Sequence, residues 1–126
     1  MHNIIVTPDA PAAVGPYSQA VSAGNWLFAA GQIPLDPATG EIVPGGVREQ
    51  TERIIANIKA VLAANGMTLA AVVKATVFMT DLGQFAAMNE VYAKHFSEPF
   101  PARSTVQVAA LPKGAQVEIE VTACQG

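Results

Sequence analysis

The sequence predicts an α+β fold, a single mixed β-sheet with two helices packed on one of its faces. Three observations predict it. Short runs rich in β-branched and aromatic residues, bounded by glycine and proline, recur along the chain as strands. Two longer stretches, beginning near Val47 and Asp81, instead repeat apolar side chains at helical spacing. The order strand, strand, helix, strand, helix, strand, strand lets right-handed crossovers put both helices on the same sheet face. The 126 residues suit one domain spanning 1–126.

Taken in order, Asn3 to Val6 can add an N-terminal strand, and Tyr17 to Ala23 reads as the first strand of a hairpin. Gly24-Asn25 is its two-residue turn and Trp26 to Gln32 its apolar return. Pro34, Asp36-Pro37, Thr39-Gly40 and Pro44-Gly45-Gly46 break the next stretch into loops, with a short extended piece at Glu41 to Val43. Val47, Thr51, Ile54, Ile55, Ile58, Val61 and Leu62 then form one helical face, with Glu49 and Arg53 spaced for a helix-surface ion pair and Asn65-Gly66 as the stop. A single turn fits Thr68 to Ala71, and Val72 to Thr80 reads as a central strand. Asp81 can cap the second helix, lined by Phe85, Met88, Tyr92 and Phe96 and ended by Pro99 and Pro101. Ser104 to Ala109 and Gln116 to Ala123 complete the sheet across Leu111-Pro112-Lys113-Gly114.

Composition excludes several classes. With 51% hydrophobic residues the chain is not disordered, and no apolar run approaches the roughly 20 residues that span a bilayer. Only 13% of residues are charged, against about 25% in an average soluble domain. So charge-poor a surface on so small a body predicts a homo-oligomer. Ala75, Val77 and Met79 alternate with Thr76, Phe78 and Thr80, so neither face of that strand is strongly charged, and the sheet face without helices is the expected contact. A net charge of −3 without a basic run argues against nucleic acid and acidic membranes as partners. One cysteine, Cys124, expected as a packed thiol beside Val121, and an N-terminus without signal-peptide form suit a reducing cytoplasm.

Glycine-rich phosphate loops, a nucleophile elbow and clustered metal ligands are absent, so no metal is expected. His2 and His95 lie far apart in sequence, which counts against a two-histidine ribonuclease, and His95 reads as a helix-end or interface residue. Arg103 follows Phe100-Pro101-Ala102 on a stiff approach to a strand. Its planar fork suits a small carboxylic acid, or equally a salt bridge to Glu98 or another chain. Glu118 and Glu120 share one face of their strand. That face is either solvated or, docked against another subunit, desolvated enough to raise a carboxyl into acid/base range. Asn89 beside the second helix's apolar stripe calls for buried partners, and Tyr17 after Gly15-Pro16 reads as a packed aromatic.

Taken together, Ala10-Pro11-Ala12-Ala13-Val14-Gly15-Pro16-Tyr17-Ser18-Gln19, Gly31-Gln32-Ile33-Pro34, Pro101-Ala102-Arg103-Ser104 and Val117-Glu118-Ile119 resemble the motifs of the RidA (YjgF) family of reactive-intermediate deaminases, in order and along essentially the whole chain. The resemblance implies a chorismate-mutase-like fold and a homotrimer with sites at its subunit interfaces. It also implies cofactor-free hydrolysis of 2-imino acids, such as 2-iminobutanoate and 2-iminopropanoate, to 2-oxo acids and ammonia, which protects pyridoxal-phosphate enzymes. By position it assigns Arg103 to the substrate carboxylate and Glu118 to the attacking water or its proton. Tyr17 and the Gly31 backbone would shape the pocket, and Asn89 its wall. Thr105 stands where the family often has cysteine and would offer its backbone carbonyl to the water; Ala30 stands where serine is common. The competing expectation is a non-catalytic trimeric module that holds small carboxylates or partner proteins. An endoribonuclease or translation inhibitor, a label attached to some relatives, fits the acidic balance poorly.

Overall fold

The computed structural model describes residues 2–126. Strands β1 (Asn3–Ile5), β2 (Ala20–Ala23), β3 (Trp26–Ala29), β4 (Val72–Met79), β5 (Ala102–Gln107) and β6 (Val117–Cys124) form a single mixed sheet in the order β1-β2-β3-β6-β4-β5. Every pairing is antiparallel except β4 with β5. Helices α1 (Val47–Ala63) and α2 (Phe85–His95) pack together on one face. The expected α+β architecture is the one observed.

Burial follows the helical pattern closely. Ile54, Ile55, Ile58, Val61 and Leu62 are at most 1% exposed, each such side chain stabilising the fold by about 1.5–3 kcal/mol relative to exposure. They meet Ala75, Val77 and Met79 of β4 and Val117, Ile119 and Val121 of β6 in one core. Two buried amides beside it are bonded: Asn57 donates to the Leu35 carbonyl at 3.0 Å and accepts from Arg53 Nε at 3.1 Å, while Gln50 accepts from the Gln116 amide at 2.8 Å. These bonds tie the loop after β3 and the start of β6 to α1.

Several boundaries differ from expectation, each for a local reason. The first hairpin strand starts at Ala20 rather than Tyr17, because Gln19 turns its side chain to the N-terminal segment. Its partner stops at Ala29; the chain leaves the sheet at Ala30-Gly31 and returns for one bridge, Gln32 to Ile119. The extended piece near residue 42 is likewise a single bridge, between Leu35 and Ile42. Asp81 caps a short 3₁₀ turn (Leu82–Gln84) that precedes α2, not α2 itself. The edge strand β5 starts earlier than Ser104, because Ala102 already pairs with β4. Glu49 does not pair with Arg53: its carboxylate accepts from the Gly46 amide at 2.7 Å, closing the N-terminus of α1, and Arg53 turns to Asn57. Phe85 stays partly exposed instead of joining the core. Cys124 lies on the sheet face opposite Val121, since strand alternation puts Val121 with the core and Cys124 with Thr122.

His95, the last residue of α2, bridges Glu52 and Lys59 of α1. The His95 hydrogen bond, with help from His95 and Lys94 charge and against the cost of burial, holds the Glu52 carboxyl below the usual range. A depressed carboxyl contributes stability above its ordinary pKa and loses it as pH falls through the lowered value. Glu52→Gln is therefore expected to lower the thermal midpoint at neutral pH, with the difference from wild type shrinking in acid. A difference of the same size at all pH values would refute this account.

The face without helices carries Trp26 and Phe28, 44% and 45% exposed, with their rings 6.3 Å apart. Thr76 and Phe78 of β4 and Glu118, Glu120 and Thr122 of β6 lie beside them. Lys74 shares this face, so the uncovered surface mixes exposed aromatics and threonines with Glu118, Glu120 and Lys74.

Candidate functional site

The residues singled out by sequence divide into two groups on one chain. Tyr17, Ala30, Gly31 and Glu118 line a cavity of about 460 Å³ between the N-terminal segment, the end of β3 and β6, with Lys113 at its border. Asn89 and Arg103 line another of about 380 Å³, with Tyr92, Phe100 and Pro101, between α2 and β5. Thr105 lies two residues beyond Arg103 on the same side of β5.

The first cavity is built by the departure of residues 30–31 from the sheet. Reciprocal backbone hydrogen bonds of Gln32 with Ile119, at 2.8 and 3.1 Å, hold the Gly31 main chain against Glu118. A side chain at Gly31 would collide with the Glu118 carboxylate where it stands, and glycine lets the two lie this close. Glu118 is half-buried, and desolvation, aided by the like charge of Glu120, raises its carboxyl pKa. Tyr17 is held in a tight turn: its amide donates to the Gly15 carbonyl at 2.9 Å, and its hydroxyl accepts from the Val14 amide at 3.3 Å. The ring is 54% exposed, which corrects its expected packing and leaves the hydroxyl proton available.

The second cavity places Arg103 on aromatic rings. Its guanidinium carbon lies 4.6 Å from the centre of the Tyr92 ring and 5.6 Å from that of Phe85. Among the described residues no ion pair involves Arg103, Glu98 included. The rings fix the fork by cation–π contact without occupying its N–H edge, which suits a planar carboxylate. Tyr92 stacks on Phe96 at 4.2 Å. Its buried hydroxyl has no hydrogen-bond partner among the described residues, and burial raises the phenol pKa against the opposing charge of Arg103. Sequence reasoning took Tyr92 only as core, because its spacing after Met88 is that of any core aromatic on the helix face.

The two groups do not meet within one chain. Arg103 pairs with Ala75 and points to the helix side at the sheet edge, whereas Glu118 pairs with Phe78 and points to the open side. Strand spacing and residue rise put their Cα atoms roughly 14 Å apart. Among the described residues no cluster of three potential metal ligands occurs, and no helix is long and apolar enough to cross a membrane.

The family model described as Endoribonuclease L-PSP matches residues 7–125. A 2-iminobutanoate/2-iminopropanoate deaminase of Capra hircus is 50% identical over 126 residues, covering 100% of this chain and 92% of that protein. Among solved structures, RidA from an Antarctic Psychrobacter superposes with a TM-score of 0.94 at 50% identity, over 98% of this chain and 99% of that one. TdcF of E. coli with bound serine gives 0.93 at 46% identity, over 98% and 99%.

Proposed function

The chain belongs to the YjgF/RidA family, whose model carries the description Endoribonuclease L-PSP, and from that premise we propose that it is a deaminase of small 2-imino acids. The single domain of residues 1–126 hydrolyses 2-iminobutanoate or 2-iminopropanoate, so that imine and water give a 2-oxo acid and ammonia. The observation that carries this reading is Arg103, a guanidinium backed by Tyr92 and Phe85 with no carboxylate partner among the described residues. An imine carbon is already electrophilic, so the chain has to hold the carboxylate, place a water and pass its two protons to the nitrogen.

Arg103 binds the substrate carboxylate bidentately. Glu118, whose carboxyl is held above its ordinary range by burial and by the like charge of Glu120, orients the water and takes its proton as the new C–O bond forms. The C=N π pair moves to nitrogen, which receives that proton back from the same carboxyl; the carbinolamine then collapses, its C–N bond breaking to ammonia as the hydroxyl proton passes through Glu118 to the departing nitrogen and the C=O bond forms. Tyr17 and the Gly31 main chain bound the reacting end, Asn89 supports the wall near Arg103, and the Thr105 carbonyl can accept from the water. Ala30 lacks a hydroxyl and leaves more apolar room beside Gly31. No cofactor enters these steps.

Because one chain holds Arg103 and Glu118 on opposite sides of its sheet, the reading requires a site shared between copies. A homotrimer closed through the uncovered face and the β5 edge supplies it and covers Trp26 and Phe28. A reducing, cytoplasmic setting suits the free Cys124. For ribonuclease chemistry the residues offer little: His95 is engaged by Glu52 and Lys59, and the net charge is −3.

The test is release of 2-oxobutanoate when the purified protein is added to a threonine dehydratase that is generating the imine. Release severalfold faster than with buffer is expected. No acceleration by the intact oligomer would overturn the enzymatic reading and favour a module that binds small carboxylates.

A further inference from the structure

One buried residue joins two of the segments that wall the Glu118 cavity, the N-terminal segment and the backbone beside Gly31. Gln19 is 4% exposed. Its Oε1 accepts from the Thr7 amide at 2.7 Å, and its Nε2 donates to the carbonyls of Thr7, Ala10 and Pro11 at 3.0, 3.3 and 2.8 Å. Its own carbonyl accepts from the Ala30 amide at 2.9 Å. The N-terminal segment and the backbone beside Gly31 are thus fastened to a single residue, two positions after Tyr17.

The turn that carries Tyr17 has few other anchors. Val14 is 85% exposed, and the bonds within the turn, Tyr17 to Gly15 and Val14 to Tyr17, link it only to itself. Gly15, at φ +132°, adopts a backbone conformation that suits glycine. A self-contained turn keeps its shape but not its placement when its base is released. The base is the hydrogen-bonded segment from Thr7 to Pro11, and that base is held by the Gln19 amide.

We propose that Gln19 is a positioning residue for the imine-hydrolysing site, fixing where Tyr17 stands over the Glu118 cavity. The inference rests on the deaminase reading. Gln19 touches no reacting atom; it acts through Tyr17. Misplacement of a site group by about 1 Å can cost on the order of 100-fold, so the loss of this clamp has kinetic consequences beyond its effect on stability.

The experiment is a double-mutant cycle with Gln19→Met, which keeps the length and apolar bulk of the side chain without its hydrogen bonds, and Tyr17→Phe. Gln19→Met alone is expected to lower kcat/KM by about 10- to 100-fold, chiefly through KM, and to speed amide exchange at residues 7–17 more than in α1. In the Tyr17→Phe background the same substitution is expected to cost less than about twofold, as coupled residues require. Multiplicative losses in the two backgrounds, or full activity in the folded Gln19→Met protein, would overturn the proposal. Should Gln19→Met fail to fold, Gln19→Asn, which keeps the amide but shortens its reach, is read through the same cycle. A wild type without deaminase activity would sink the functional reading instead, while unchanged exchange at residues 7–17 would separately refute the clamp.

Discussion

Glu118→Gln is expected to lower imine hydrolysis by about 10²- to 10⁴-fold, the span typical for loss of a positioned acid/base group, while binding of small carboxylates persists. The amide keeps the shape of the side chain against Gly31 but can neither take the proton of an attacking water nor return one to nitrogen. Kinetics beside equilibrium binding of a non-hydrolysable 2-oxo acid measure both halves of the claim. Turnover left intact would remove Glu118 from the reaction.

The same substitution has a signature in stability. Burial and Glu120 raise the Glu118 carboxyl, so the folded protein binds its proton more tightly than the unfolded chain does. Between the ordinary and the raised pKa the folded state holds more protons, and stability falls as pH rises through that window. Glutamine carries no such dependence. The thermal midpoint of the variant should therefore gain on that of the wild type as pH rises from acid, then keep a constant lead above the raised value.

Sequence pattern was sufficient for the sheet and helices because each element has one dominant signal. Ile54, Ile55, Ile58, Val61 and Leu62 have only one way to leave water together, and Val117, Ile119 and Val121 alternate with Glu118 and Glu120 as a half-buried strand must. Where a side chain had two polar options the outcome depended on tertiary geometry. Glu49 could reach Arg53 or the helix N-terminus, and the free Gly46 amide took it. The site was legible as residue types but not as an arrangement. Nothing local distinguishes Tyr92 from a core aromatic until β5 brings Arg103 across its ring. Gln19 looks like any polar residue before a strand until the segment from Thr7 to Pro11 folds over it. The close approach of Gly31 to Glu118 joins positions some ninety residues apart in sequence and shows only once the sheet has formed.

Arg103→Ala and Glu118→Gln, each inactive alone, are expected to restore activity to one another when their chains are mixed in one oligomer. Arg103 stands on the helix side at the β5 edge and Glu118 on the open side of β6, with β4 between them. A site using both must take one from each of two copies. Under random assembly a given interface then receives an intact Arg103 half the time and an intact Glu118 half the time, so about a quarter of the sites are complete. Mixing wild type with the Arg103→Ala/Glu118→Gln double variant gives the same quarter, because each interface again draws its two residues independently. If each chain instead built its own site, the first mixture would stay inactive and the second would keep about half. Co-refolding equal amounts, confirming exchange by mass, and comparing the two mixtures therefore separates a shared site from a private one without any assumption about the turnover number.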